Sequence, residues 1–329
     1  MAAVNTAITL GKPLLVSGDP GVGKTSLARY VAWRLGLMRE GPFELEPEVL
    51  RFDVKSTTKG ADLIYRYDAI SHFRQGQWSD DEKSKKEIMA SSLSEHIRLN
   101  ALGTAIALGA ARDDDGSLTS VDPESSLAKV IGQALDACPM SDEPRTSVVL
   151  IDEIDKAPRD VPNDLLRELD DMVFEIPELG GGAHLPQPEI RPIVIITTND
   201  ERTLPAPFLR RCCFLHIAFP EDIEDVRQII RAQLPEKWDK SDIVSDAIAL
   251  VHAIRRKPSD RPPATAELIE FILRLHDLEL QPDHRLAPVP ETYSAWPVEA
   301  KAAANILTRS KDGERVVREA LEDLQSRRG

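Results

Sequence analysis

Residues Gly18 to Thr25 read GDPGVGKT, a run that satisfies the spacing G-x-x-x-x-G-K-[ST]. That spacing serves the capture of a phosphate chain. Glycines let backbone N–H groups curl around an anion where Cβ atoms would obstruct the turn. A helix that starts at the end of the run adds its N-terminal dipole to the same site. Lys24 supplies a cation to the outer phosphates and the Thr25 hydroxyl a ligand for Mg²⁺, while Gly18, Asp19, Pro20, Gly21, Val22, Gly23 and Ser26 complete the cradle. A second run, Val148 to Asp155 (VVLIDEID), sets carboxylates at the end of an apolar stretch. Asp152 would hold the same metal through water, and Glu153 beside it would polarise an attacking water as general base. Together the two runs could hydrolyse a Mg²⁺-bound nucleoside triphosphate.

Such residues need rigid elements to hold them. Three unbroken apolar runs, PLLVS (13–17), SVVLI (147–151) and PIVIITT (192–198), suit parallel strands covered on both faces, and VLRFDV (49–54) reads as a fourth. Between them, Thr25 to Leu35 predicts a helix with Leu27, Val31 and Leu35 on one face, ending at Gly36. This alternation predicts an α/β fold with a doubly wound parallel sheet between helical layers. Residues 75–96 and 112–123 are polar or turn-rich and read as insertions, and 173–195 reads as a hairpin: VFEIPE, a turn at Gly180 to Gly182, then EIRPIVI. Beyond Phe219-Pro220 the strand-like runs cease. Helical patterns follow at 223–234, 242–255, 264–277, 298–309 and 314–325, with a Pro-rich connector over 280–297. The expected organisation is a nucleotide-binding α/β domain over 1–220 and a helical domain over 221–329.

The chain has 329 residues, 42% hydrophobic and 29% charged, enough to bury a sizeable core. Its net charge of −14 argues against a chain built to coat nucleic acid or an anionic membrane. The longest nearly unbroken apolar stretch, Ala101 to Ala111, is about half a membrane span, so no transmembrane helix is expected. No positive segment precedes the first apolar residues, and no signal peptide is read. Cys138, Cys212 and Cys213 offer no metal-binding pair and no even disulfide framework, which points to free thiols in the cytoplasm. The seven histidines lack paired-ligand spacing, so no protein-built metal site is expected from them.

With GDPGVGKT and VVLIDEID in place, the sequence resembles the AAA+ ATPases, the two runs standing where that class carries its Walker A and Walker B motifs. The resemblance implies ATP and Mg²⁺ as ligands and a P-loop domain followed by a helical lid. It extends to IVIITTND, whose Asn199 falls where the class has a sensor 1 residue that orients the lytic water. It extends also to LPAPFLRRCCF, where Arg211, or alternatively Arg210, would be an arginine finger reaching a neighbouring subunit's γ-phosphate. RPPATAELIEF opens a lid helix with Leu268, Ile272 and Leu275 on one face, and Arg261 resembles a sensor 2 arginine. Within the class, VKSTTKGADLIYRYDAI, LIDEIDKAP, NDLLRELDD and LPAPFLRRC follow the order and spacing of the MoxR group over roughly residues 10 to 275. One departure is Asn100-Ala101-Leu102-Gly103, where the group has a Gly-Pro-Leu-like step.

The resemblance implies a homo-hexameric ring with shared sites, chaperone-like remodelling of a partner protein, and, by analogy, a von Willebrand factor A domain partner. Two other classes stay open at the level of sequence. One is a nucleotide-gated binding switch with slow hydrolysis, which the presence of both Asp152 and Glu153 disfavours. The other is a DNA-acting AAA+ motor, which the acidic charge and the lack of an appended DNA-binding module disfavour.

Overall fold

A computed structural model of the chain describes residues 1–42, 44–76, 92–113, 118–119, 121–138, 143–180, 184–185, 188–234, 242–257, 262–277, 298–308 and 312–326. The insertion expected at 75–96 lies largely outside these residues. So do parts of that at 112–123 and of the Gly180 to Gly182 turn, the whole of the 280–297 connector, and Arg261. The chain divides into two compact units, Met1–Gly18 with Lys24–His216, and Asp19–Gly23 with Ile217–Gly329.

The first unit is built on five strands: β1 (Leu14–Ser17), β2 (Leu50–Asp53), β3 (Val148–Asp152), β4 (Ile193–Thr197) and β5 (Cys213–His216). Their order across the sheet is β5-β1-β4-β3-β2, and every pairing is parallel. The central strands β1, β3 and β4 are buried almost throughout, as their continuous apolar runs require. The edge strands β2 and β5 alternate between half-buried and exposed positions. Helices α1 (Ala2–Leu10), α2 (Lys24–Arg34), α3 (Ala101–Gly109) and α4 (Ser126–Asp136) accompany the sheet. Leu15, Val149, Ile151, Val194 and Ile196 from the strands share one apolar core with Leu102 and Ile106 of α3 and Val130 and Ile131 of α4.

Three sequence expectations are corrected here. Helix α2 buries Ala28, Val31 and Ala32, whereas Leu35 is exposed beyond the helix's last residue, Arg34. Small side chains let α2 lie close to the sheet, so the larger leucine has no place beneath it. The hairpin over 173–195 is shorter than its sequence suggests: Phe174–Glu175 pairs with His184–Leu185, and Ile193–Thr197 is instead β4 of the main parallel sheet. Its β-branched run is worth more buried on both faces than on an exposed hairpin. Finally, β5 is an additional strand whose CFLH alternates, leaving Phe214 60% exposed.

Local contacts fix the stretch from Asn100 to Gly103. Asn100 donates from its backbone N to Ile64 O (2.7 Å) and from Nδ2 to Asp62 O (2.6 Å), which starts α3 hard against the 3₁₀ turn Gly60–Leu63. A Cβ on Gly103 would stand 2.2 Å from Ile64 O, so only glycine permits this approach. Apolar on nearly every face, α3 is a core helix. Among the described residues no helix is long and apolar enough to cross a membrane.

The second unit is helical: α5 (Ile223–Arg231), α6 (Asp242–Arg255), α7 (Thr265–Asp277), α8 (Val298–Ala304) and α9 (Gly313–Ser326). Asp222 caps α5 by accepting from Glu224 N at 2.7 Å. Val226, Ile230, Val244, Ile248, Val251, Leu268, Phe271, Ile272, Leu275, Leu307 and Val317 form its own core, so the predicted stripe of Leu268, Ile272 and Leu275 is buried.

Candidate nucleotide and metal site

Strand β1 delivers the chain into the loop Gly18–Gly23, and α2 begins at Lys24. Gly18, Gly21 and Gly23 take φ values of 141°, 82° and 96°, a backbone that side chains resist. Lys24 is buried and its Nζ donates to Gly18 O at 2.6 Å, closing the loop from its far end. Gly21 O accepts from Thr265 Oγ1 (2.8 Å) and Ala266 N (3.2 Å), so the first turn of α7 fixes the loop's crest within the second unit. Asp19 pairs with Arg255 at 3.0 Å. The Arg255 guanidinium also donates to Pro263 O and lies 4.4 Å over the Phe219 ring. Arg255 was not among the sequence candidates, and its position beside the loop depends on how α6 packs.

The carboxylates stand at the end of β3. Asp152 is 7% exposed, and its Oδ1 accepts from Thr197 Oγ1 at 2.6 Å. Thr25 Oγ1 lies 3.3 Å from both of its carboxylate oxygens. Its Oδ2 also accepts from Arg51 Nη2 of β2 at 2.9 Å. Arg51 is further bound to Asp53, and the hydrogen bond it donates to Asp53 is the main reason its guanidinium holds its proton more tightly than usual. The donor set offered by Thr25 and Asp152, a hydroxyl and a carboxylate, is that of a hard divalent cation. Together with the buried Lys24 ammonium of the same unit, it fits Mg²⁺ and a phosphate group.

Glu153 follows in the left-handed region (φ 61°) at the head of the short turn Ile154–Lys156. Its backbone N donates to Thr197 Oγ1 at 2.8 Å, so one hydroxyl at the end of β4 sets both Asp152 and Glu153. Glu153 Oε1 accepts from Asn199 Nδ2 at 3.1 Å, and Oε2 pairs with Lys156. Lys156 first, and then the Asn199 hydrogen bond, hold the Glu153 carboxyl below the usual glutamate range against the opposing effect of burial. Asp155 is buried, and its Oδ2 accepts from Asn199 N (3.1 Å) and Glu201 N (3.0 Å), tying the turn after β4 to the turn after β3.

Thus Lys24, Thr25, Asp152, Glu153 and Asn199 converge on the ends of β1, β3 and β4 within the first unit. Arg210 and Arg211 do not join them. Arg211 pairs with Asp170 and donates to Pro207 O at 3.1 Å, while Arg210 is exposed at the end of the short helix Ala206–Leu209. Arg51, Thr197, Lys156 and Asp155 were not singled out from sequence. Only Lys156, three residues after Glu153, carries a signal readable without strand register.

Comparison with known proteins bears on the first unit above all. Residues 14–221, more than half of the chain, match the family model described as "ATPase family associated with various cellular activities (AAA)". A search of curated proteins returned no match. Among solved structures, NtrX from Brucella abortus in complex with ADP is 14% identical, covering 98% of this chain and 64% of that one, with a TM-score of 0.41. A second structure of NtrX from Brucella abortus is 16% identical, covering 100% of this chain and 66% of that one at a TM-score of 0.39. NtrX from Brucella abortus in complex with ATP is 17% identical, with 100% and 60% covered and a TM-score of 0.44. The chain therefore spans less than two thirds of those proteins' length.

Proposed function

This chain belongs to the AAA family of ATPases, and we propose that it hydrolyses Mg²⁺-ATP in a ring of like subunits, in the manner of the MoxR group, to remodel or activate a partner protein. The observation that supports the reading is the bridge through Thr197, which binds both Asp152 and the backbone of Glu153, whose side chain also accepts from Asn199. ATP enters as substrate, and Mg²⁺ supplies charge neutralisation to its phosphates when bound. Lys24 leaves Gly18 O to take phosphate oxygens, and Thr25 and Asp152 provide the metal's protein oxygens. Glu153 accepts the proton of the attacking water, which Asn199 helps to orient. Arg211, with Arg210 as the alternative, acts on a neighbouring copy's phosphates, and Arg261 is the proposed sensor 2 residue. A homo-hexamer, a cytoplasmic site of action and a von Willebrand factor A domain partner complete the proposal.

Two substitutions and one mixing experiment test it. Lys24→Ala abolishes ATP binding measured by equilibrium dialysis. Glu153→Gln retains binding and loses turnover. Wild-type turnover per subunit rises with protein concentration, and Arg211→Ala or Arg210→Ala subunits poison it when mixed in. A concentration-independent rate that neither variant poisons refutes the shared site.

A second reading, a switch that hydrolyses slowly, draws support from the Lys156 pairing. It depresses the basicity of Glu153 and must be broken before the carboxylate can serve water. Turnover unchanged in Glu153→Gln would select that reading.

A further inference from the structure

Asp152 has one cationic partner more than a metal carboxylate requires. The Arg51 guanidinium lies between two acids on neighbouring strands: Nη2 is 2.9 Å from Asp152 Oδ2 and 2.7 Å from Asp53 Oδ1, and Nε donates to Asp53 Oδ1 at 2.8 Å. The β2–β3 register pairs Asp53 with Asp152, so the two carboxylates flank the arginine from adjacent strand ends. The Arg51 side chain is 50% exposed and that of Asp53 62%, against 9% for Asp152, which gives the guanidinium room to turn outward. A cation bound to Oδ2 and a divalent ion near Thr25 and Asp152 compete for the same lone pairs, and their charges repel.

We propose that Arg51 is a positioning residue that occupies Asp152 in the metal-free protein and yields to Mg²⁺ by turning wholly onto Asp53, so that the Arg51–Asp53 pair sets the metal affinity of the site. The inference rests on the reading of Asp152 as the metal carboxylate. Asp53 is the retreat for the displaced guanidinium, and its negative charge is what keeps that retreat inexpensive. An arginine serves here where a lysine would not, because its fork can bind both acids at once.

The test is binding of Mn²⁺ to the full chain in the presence of ADP, read from the electron paramagnetic resonance signal of free Mn²⁺. Arg51→Gln tightens Mn²⁺ binding about tenfold, the scale of one nearby unit charge in a partly solvated site. Asp53→Asn leaves Arg51 with Asp152 alone and weakens Mn²⁺ binding several-fold. The double variant binds as Arg51→Gln does, because Asp53 acts only through Arg51. Unchanged or weakened binding in Arg51→Gln overturns the proposal, as does an Asp53→Asn effect that persists in the double variant. Should Arg51→Gln fail to fold, Asp53→Asn on the exposed edge decides alone: weaker binding supports the proposal, and unchanged or tighter binding overturns it. If wild type with ADP takes up no Mn²⁺, the metal reading itself has failed, a result distinct from a normal wild type with unresponsive variants.

Discussion

Thr197 joins the site through one oxygen, accepting from Glu153 N and donating to Asp152 Oδ1 with its side chain wholly buried. Thr197→Val keeps the shape and removes the bridge, leaving the Glu153 N–H without its acceptor and Asp152 Oδ1 with Thr25 alone, at a cost of about 1–3 kcal/mol. The expected result is turnover lower by about 10–100-fold with a smaller change in ATP affinity, measured by steady-state kinetics beside equilibrium binding. Glu153 gives a second prediction. Its carboxyl is held below the usual range chiefly by Lys156, so it stays ionised across neutral pH and the acid limb of the rate profile lies low. Lys156→Met removes that hold, and the acid limb of the kcat profile moves to higher pH, toward the ordinary glutamate value. Proton inventory gives the same sign for stability. A depressed carboxyl stabilises the fold above its unfolded pKa and loses that contribution as pH falls through the folded one. Lys24, Thr25, Asp152 and Glu153 could be read from sequence because spacing along the chain alone brings each into its motif. Thr197 and Arg51 could not, because their partners lie 45 and 101 residues away across strand registers.

Elements were legible where burial is uniform. LLVS, VVLID and IVIIT lie inside the sheet, covered on both faces, so no alternation interrupts their apolar runs. The edge strand β5 shows neither a continuous run nor a long one. Its four residues alternate, and the arginines before it draw attention to charge rather than to pairing. Helix α3 illustrates the opposite case, an apolar run whose tertiary role hangs on one missing side chain. Alanine is a better helix former than glycine by about 1 kcal/mol, which alone would make Gly103→Ala stabilising. A methyl 2.2 Å from a backbone carbonyl cannot be accommodated by a side-chain turn, and overpacking of this kind costs about 1–3 kcal/mol. The clash wins. Gly103→Ala lowers the midpoint of urea unfolding, whereas Gly132→Ala on α4, where a Cβ would meet nothing within 4 Å, raises or preserves it.

For the molecule as a whole, charge opposes assembly. Each copy carries a net charge of −14, so bringing copies together is penalised at low ionic strength. Screening shortens the reach of that repulsion to about 10 Å near 0.1 M salt. Sedimentation velocity should therefore find more assembled protein at about 0.2 M than at about 0.02 M salt, and turnover per subunit should follow it. Under the shared-site proposal a neighbour's arginine is worth about 10³–10⁵ in rate, so a modest change in the assembled fraction would govern activity. The pairing of β5 with β1 bears on how the chain can be shortened. β1 is buried along its whole length and, among the described residues, Cys213–His216 is the strand that pairs with it on that side. A stop at Arg211 would strip that cover and leave a long-buried strand bare at the sheet's margin, while a stop beyond His216 keeps β1 covered by the short, alternating edge strand β5.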